Sequence, residues 1–192
     1  NCNMFNNTGA GIVIAGGNSN TINNCDIYDN NYEGVEIKGT SSLNTISNSN
    51  INGNNKLFRM VAPQPATGAI PEATQGGIKT NGTSTTIDNN FIFDNGAQGI
   101  IVYDSGVSQQ VANLGQGANS VINNNTIGRN NAAAELGNGW NGVFVWGANG
   151  VTTSGNTVIN NGKGASHQTY IDNGGKVQMP DRISGVRDRK SV

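Results

Sequence analysis

Apolar and polar positions alternate along this chain in short runs, and the runs themselves repeat. Each unit reads roughly G-[apolar]-x-[apolar]-x-G, then a polar stretch, then T-I-N-N-N-x-I-x-x-N. Successive side chains of a strand point to opposite faces. The pairs Ile12/Ile14, Val35/Ile37, Ile78/Thr80, Ile100/Val102 and Val143/Val145 therefore share one buried face. Runs that are short, β-branched and bounded by glycine predict strands. Helical periodicity is absent over any useful length; the segment 132–136 allows one helical turn within a loop.

The repeat fixes the architecture. The glycines that open the strands are Gly11, Gly34, Gly77, Gly99 and Gly142, in steps of 22 or 23 residues with two steps of 43. Such a period signals stacked repeats that bury a continuous core only together. It predicts a solenoid of about six rungs of 22–24 residues, near 30 Å long at ~4.8 Å per rung. Other columns align in the same register. Ile22, Ile46, Ile87, Ile122 and Thr153 form one; Met4, Ile27, Ile51, Ile92, Ile127 and Val158 form another. Cys2, Cys25, Ser49, Asn90, Asn125 and Asn156 make a polar column, and Asn7, Asn30, Asn54, Asn95, Asn130 and Asn161 close the rungs. Three insertions interrupt the pattern, at 56–75, 105–119 and 131–141. Residues 1–161 form the repeat domain, and 162–192 an irregular last rung, with a strand at 166–171, and a cap.

Composition changes this picture little. The chain holds 34 asparagines and 28 glycines. Asparagine tolerates the left-handed conformation of tight corners, and stacked amides can bond along a column. A net charge of −1 gives no reason to expect nucleic acid or a membrane surface as partner. The basic stretch 182–190 is diluted by Asp181 and Asp188 and reads as a solvated end. No run reads as a membrane span or a signal segment. The chain starts in mid-rung, as a piece of a longer protein would, or a mature form capped from elsewhere.

Cys2 and Cys25 fall on neighbouring rungs, with Cα atoms ~4.8 Å apart, inside the range a disulfide permits. The shared direction of stacked side chains favours a reduced pair, and a bridge stays open as the alternative. Two thiols and one distant histidine do not make a zinc site.

The rung pattern resembles the right-handed parallel β-helix family, an all-β fold, over about residues 1–161. That family includes polysaccharide lyases, hydrolases, epimerases, phage tailspikes and adhesins, so the resemblance implies a secreted or surface protein without choosing an activity. Asn125-Thr126-Ile127-Gly128 followed by Leu136-Gly137-Asn138-Gly139-Trp140-Asn141-Gly142-Val143 is similar to repeats of large secreted bacterial surface proteins. Gly76-Gly77-Ile78-Lys79 followed by Asn90-Phe91-Ile92-Phe93-Asp94-Asn95 looks more like the carbohydrate-active members.

The interior of such a coil is filled, so a ligand must lie outside. The outward strip of the first sheet reads Val13 and Ala15, Glu36 and Lys38, Lys79 and Asn81, Ile101 and Tyr103, Phe144 and Trp146. Glu36 and Lys79 read first as a cross-strand pair. A functional reading makes Lys79 a base or a sugar-binding cation, with Glu36, Tyr103, Phe144 and Trp146 contacting sugar. The column Gly16, Gly39, Gly82, Asp104, Gly147 implies a turn with positive φ, and Asp104 is the one acid in it. It reads as a turn residue, or as an acid catalyst or cation ligand. Arg59, in the first insertion, is placed to meet a uronate carboxylate. Loops on a rigid scaffold are where binding concentrates.

Several signatures are missing. There is no Asp-Asp dipeptide, no Gly-His-Gly and no Asp-Pro-His-Glu. His167 is the only histidine and reads as structural. Calcium, which the family's pectate lyases use, needs clustered acids, and only Glu36 and Asp104 stand on the strip. The leading expectation is an extracellular β-helix that binds polysaccharide, with β-elimination by Lys79 and Arg59 as its catalytic form. The rival is a structural or adhesive module that meets the rest of a larger chain or self-associates through its rod ends.

Overall fold

A computed structural model describes residues 1–55, 75–108, 114–128, 137–159, 161 and 186–189. Three parallel sheets wrap one core. The first holds β2 (Ile12–Ile14), β5 (Val35–Ile37), β8 (Gly76–Thr80), β11 (Gln98–Tyr103), β14 (Val143–Trp146) and β17 (Val186–Arg189), stacked in that order. The second holds β3 (Thr21–Asn23), β6 (Thr45–Ser47), β9 (Thr86–Asp88), β12 (Val121–Asn123) and β15 (Thr152–Ser154). The third holds β1 (Cys2–Phe5), β4 (Cys25–Tyr28), β7 (Asn50–Asn52), β10 (Phe91–Phe93), β13 (Thr126–Gly128) and β16 (Thr157–Ile159). Each rung contributes one strand to each sheet, and the fold is a right-handed parallel β-helix.

The register is the one the alternation predicts. Ile12, Val35, Ile78, Ile100 and Val143 pair in a row, and so do Ile22, Ile46, Ile87, Ile122 and Thr153. Ile27, Ile37, Ile46, Ile51, Ile78, Ile87 and Ile92 are fully buried in one core. A fully buried isoleucine is worth ~1.5–3 kcal/mol over an exposed one, so stacked columns of them carry the fold. The first rung lacks this cover: Met4 is 37 % exposed, and Ile12 and Ile14 are only half-buried.

Corners follow from asparagine. Asn24, Asn48, Asn89 and Asn124 take φ of 56°, 51°, 54° and 54° between the second and third sheets. Strand-opening glycines serve close approach instead: a Cβ on Gly34 would lie 2.7 Å from Ile51 Cγ2 and 2.8 Å from Asn54 Nδ2.

Two amide ladders run up the coil. Asn125 Oδ1 accepts from Asn90 Nδ2 at 3.0 Å, while Asn90 Nδ2 and Asn125 Nδ2 also donate to the carbonyls of Ile46 and Ile87. The other ladder runs Asn7, Asn30, Asn54, Asn95, Asn138, Asn161. Asn138 therefore stands where the sequence put Asn130, because the third excursion leaves before the ladder asparagine. Spacing carries the signal: Asn7, Asn30, Asn95 and Asn138 each precede a strand glycine by four residues.

Three further expectations change. Cys2 and Cys25 are bridged, joining β1 to β4 with Cα atoms 4.6 Å apart; direct registry on parallel neighbours suffices. The bridge closes a loop of 23 residues, worth ~3 kcal/mol in the chain-entropy account. Residues 186–189, expected as solvated tail, pair with β14 from Val143↔Val186 to Trp146↔Arg189. Of the glycine column, only Gly16 and Gly147 have positive φ. The expected turn at 132–136, the strand at 166–171, Arg59 and His167 lie outside the described residues.

Candidate functional site

Alternation puts Val13, Glu36, Lys79, Ile101 and Phe144 in one outward row of the first sheet. Tyr103 and Trp146 pair in the next row. The five strip residues expected to meet a ligand, Glu36, Lys79, Tyr103, Phe144 and Trp146, thus do share one face. Their environments differ.

Lys79 is nearly enclosed, with 13 % of its side chain exposed. Its Nζ lies 3.1 Å from Glu36 Oε1, 3.4 Å from Glu33 Oε1 and 5.9 Å from the centre of the Tyr103 ring. Burial works to lower the Lys79 pKa, but Glu33, Tyr103 and Glu36 together outweigh it and raise it. Burial raises the Glu33 pKa against the pull of Lys79. Tyr103 is also raised, first by burial and then by both glutamates, with Lys79 opposing. An ammonium held between two carboxylates is a poor general base, since its proton must first be given up against both. Glu36 and Lys79 do form the cross-strand pair read from the sequence.

Glu33 was missed. It is 3 % exposed and sits before the strand glycine, where other rungs carry Ala10, Gly76, Gln98 and Asn141. An acid in a column of small and amide residues was the available signal. Its Oε1 has no hydrogen-bond partner in good geometry, so the ion pair to Lys79 is what compensates its burial.

Asp104 is fully buried rather than set at an open edge. Its Oδ1 accepts from Gly106 N at 2.7 Å and its Oδ2 from Gln116 N at 3.0 Å. It caps the single helical turn Ser105–Ser108 and ties both ends of the second insertion. Gln116 Oε1 in turn accepts from Asn81 Nδ2 and Ser105 Oγ. Asp104 is thus committed to the loop, and no φ > 0 is required of it.

Phe144 and Ile101 point outward yet are only 5 % and 0 % exposed, and they pack with half-buried Tyr103 and Trp146 into a second apolar cluster. The expected open aromatic platform is reduced to two half-buried rings, Tyr103 and Trp146. Calcium does not fit the acids of the strip: Asp104 is taken by backbone amides and Glu36 and Glu33 by Lys79. No group of three His, Cys, Asp or Glu among the described residues could hold a metal.

The outer face of the third sheet was not singled out from the sequence. Asp26, Asn50, Phe91 and Thr126 form one row, and Phe5, Tyr28, Asn52 and Phe93 the next. Phe5 is 47 % exposed and stacks on Tyr28, with ring centres 5.0 Å apart. Phe91 and Phe93 are half-buried and touch each other. This face is more open than the middle rungs of the first: Asp26 and Asn50 are exposed and Phe91 and Phe93 half-buried, where Ile101 and Phe144 are buried.

No curated protein and no solved structure matches the chain. A family model described as right handed beta helix region matches residues 1–177. That span is most of the chain and includes every complete rung described above, and the protein belongs to the right-handed β-helix family.

Proposed function

We propose that this β-helix is a non-catalytic module that binds uncharged polysaccharide on its outer surface. The observation that carries the reading is the state of the first sheet's polar groups: Lys79 is ion-paired to Glu33 and Glu36, and both carboxylate oxygens of Asp104 accept from backbone amides. Neither is free to abstract a proton or to hold a uronate carboxylate. What remains accessible is aromatic: Tyr103 and Trp146 in register on neighbouring strands, half-exposed. Strands lie ~4.8 Å apart, close to the length of a hexose unit, so a chain along the rod axis would meet both ring edges. The disulfide supports an oxidising, extracellular location.

A structural or adhesive role is favoured by one observation, the burial of Ile101 and Phe144 beneath the surface of the same face. Trp146→Ala separates the two readings. Binding predicts a tenfold or greater loss of affinity for an uncharged polysaccharide, beyond the moderate fall in melting temperature that truncating a half-buried ring packed on Phe144 brings in either reading. A parent that binds no polysaccharide, together with a large fall in melting temperature of the variant, leaves the structural reading standing. Release of unsaturated sugar from a uronate polymer would overturn the non-catalytic part.

A further inference from the structure

We infer that the groove at the corner between the second and third sheets is a second glycan site, built for a short stretch of neutral hexose polymer lying along the rod axis. It is remote from the first sheet's strip and does not rest on the reading given to that strip.

The groove has a volume of about 330 Å³ and spans three rungs, entered by Asn48 and Asn50, Asn89 and Phe91, and Asn124 and Thr126. That volume is in the range of small-ligand clefts. Asn48, Asn89 and Asn124 are the left-handed corner residues, and all three are exposed. Their conformation is why asparagine recurs here, and stacking puts three amides in line at one per rung.

The amides are oriented before any ligand arrives. Asn48 Nδ2 donates to Asn23 Oδ1 at 2.8 Å, and Asn89 Nδ2 to Asn48 Oδ1 at 2.6 Å. Asn124 Nδ2 donates to Asp88 Oδ1 at 3.0 Å, and Asn50 Nδ2 to Asp26 Oδ1 at 2.8 Å. Each of these amides has spent one N–H. An amide offers two N–H donors and a carbonyl with two lone pairs, so a second N–H is left on each. The carbonyl oxygens of Asn50, Asn89 and Asn124 accept no hydrogen bond from the described residues. Paired donors and acceptors at fixed spacing match the hydroxyls of a sugar, which both donate and accept. Pre-oriented groups also lose less freedom on binding.

Phe91 supplies the apolar partner. It is the aromatic residue in the row Asp26, Asn50, Phe91, Thr126, and it lines the groove at its middle rung. A half-buried ring flanked by amides suits the C–H face of a pyranose. No charged side chain lines the groove, which selects uncharged sugar over uronate, phosphate or nucleic acid. With rungs ~4.8 Å apart, three rungs match about three hexose units.

The test is titration of the whole protein with cello-, manno- and xylohexaose, and with a uronate hexasaccharide as the charged probe. Asn89→Gly removes the central amide at a position where glycine accepts the φ, and Phe91→Ala removes the ring. The inference expects at least one neutral hexasaccharide to bind. Since the first sheet is offered as a neutral-glycan surface too, the groove variants are read in a Trp146→Ala background. There Asn89→Gly weakens the binding tenfold or more with no further fall in melting temperature, and Phe91→Ala weakens it similarly. The inference is overturned if no neutral hexasaccharide binds or if adding Asn89→Gly leaves the binding of Trp146→Ala unchanged. Loss of all binding on Trp146→Ala alone overturns it too, and returns the binding to the first sheet. Preference for the uronate probe, or a protein dimer that Phe91→Ala dissolves, would also sink it.

Discussion

The outer faces of the first and third sheets obey the same alternation and have different fates. On the first, Ile101 and Phe144 point away from the core and are buried all the same, while Lys79 is locked by two carboxylates. On the third, Phe5 and the neighbouring asparagines stand in solvent. Alternation decides which side of a strand faces the core; it does not decide whether the other side is covered. A β-helix face becomes a binding surface only where nothing else packs on it, and each of the three insertions lies next to a first-sheet strand in chain order. The second insertion joins the first sheet to the second, and the excursions after Asn55 and Gly128 fall between the third and the first.

The largest effect is expected at Lys79. Lys79→Met leaves Glu33 buried without its cation and should cost about 3–5 kcal/mol in denaturant unfolding. The pH dependence follows from the raised Lys79 pKa. A folded pKa above the unfolded one means stabilisation that is full at neutral pH and lost as pH climbs through the folded value, beyond the ordinary lysine value of about 10.4. Glu33, also raised, has the opposite consequence for acid: protonation favours the fold, so lowering the pH through the carboxylate range relieves strain there. The gap between parent and Lys79→Met should therefore narrow at both extremes of pH. A gap constant with pH would show that Lys79 acts by packing alone.

Next comes the pair that sharpens the contrast of faces. Phe144→Ala should lose about 3 kcal/mol, as truncation of a buried ring does. Phe5→Ala, at an outward position on the open face, should lose about 1 kcal/mol or less, the worth of its stacking on Tyr28. Equal losses would mean that the two faces are covered alike.

Much of the fold was legible because a period-2 alternation inside a period of 22–24 residues leaves few arrangements. The isoleucine columns and the Asn90–Asn125 ladder fall where the spacing puts them. The failures have physical causes. Asn130 was taken for Asn138 because an insertion hides which asparagine returns to the corner, although the four-residue spacing to Gly142 marks the right one. The strand at 186–189 was read as a charged tail; yet Gly185 precedes Val186 by the rule of Gly142 and Val143, at a third step of 43 residues. The disulfide was legible as a distance but not as a bond, since stacked thiols satisfy the spacing either way.

The site was less legible than the fold. Glu36 and Lys79 were found as partners, but Glu33 sits on a turn, outside the alternation that located the strip. Asp104 was found as an anomaly in a glycine column, and its role as a cap depends on backbone amides of Gly106 and Gln116, which no side-chain pattern reveals. The groove of Asn48, Asn89 and Asn124 was not found: asparagine was read as suited to corners by type alone, and nothing in the pattern told the asparagines that turn the chain and line the surface from the others.

The central claim, that one outward face is covered and the other open, is tested most directly by hydroxyl-radical footprinting of the intact protein read by mass spectrometry. The account predicts strong labelling of Phe5 and Tyr28, and protection of Phe144 to the level of a core residue. Labelling of Phe144 as heavy as that of Phe5 would contradict it.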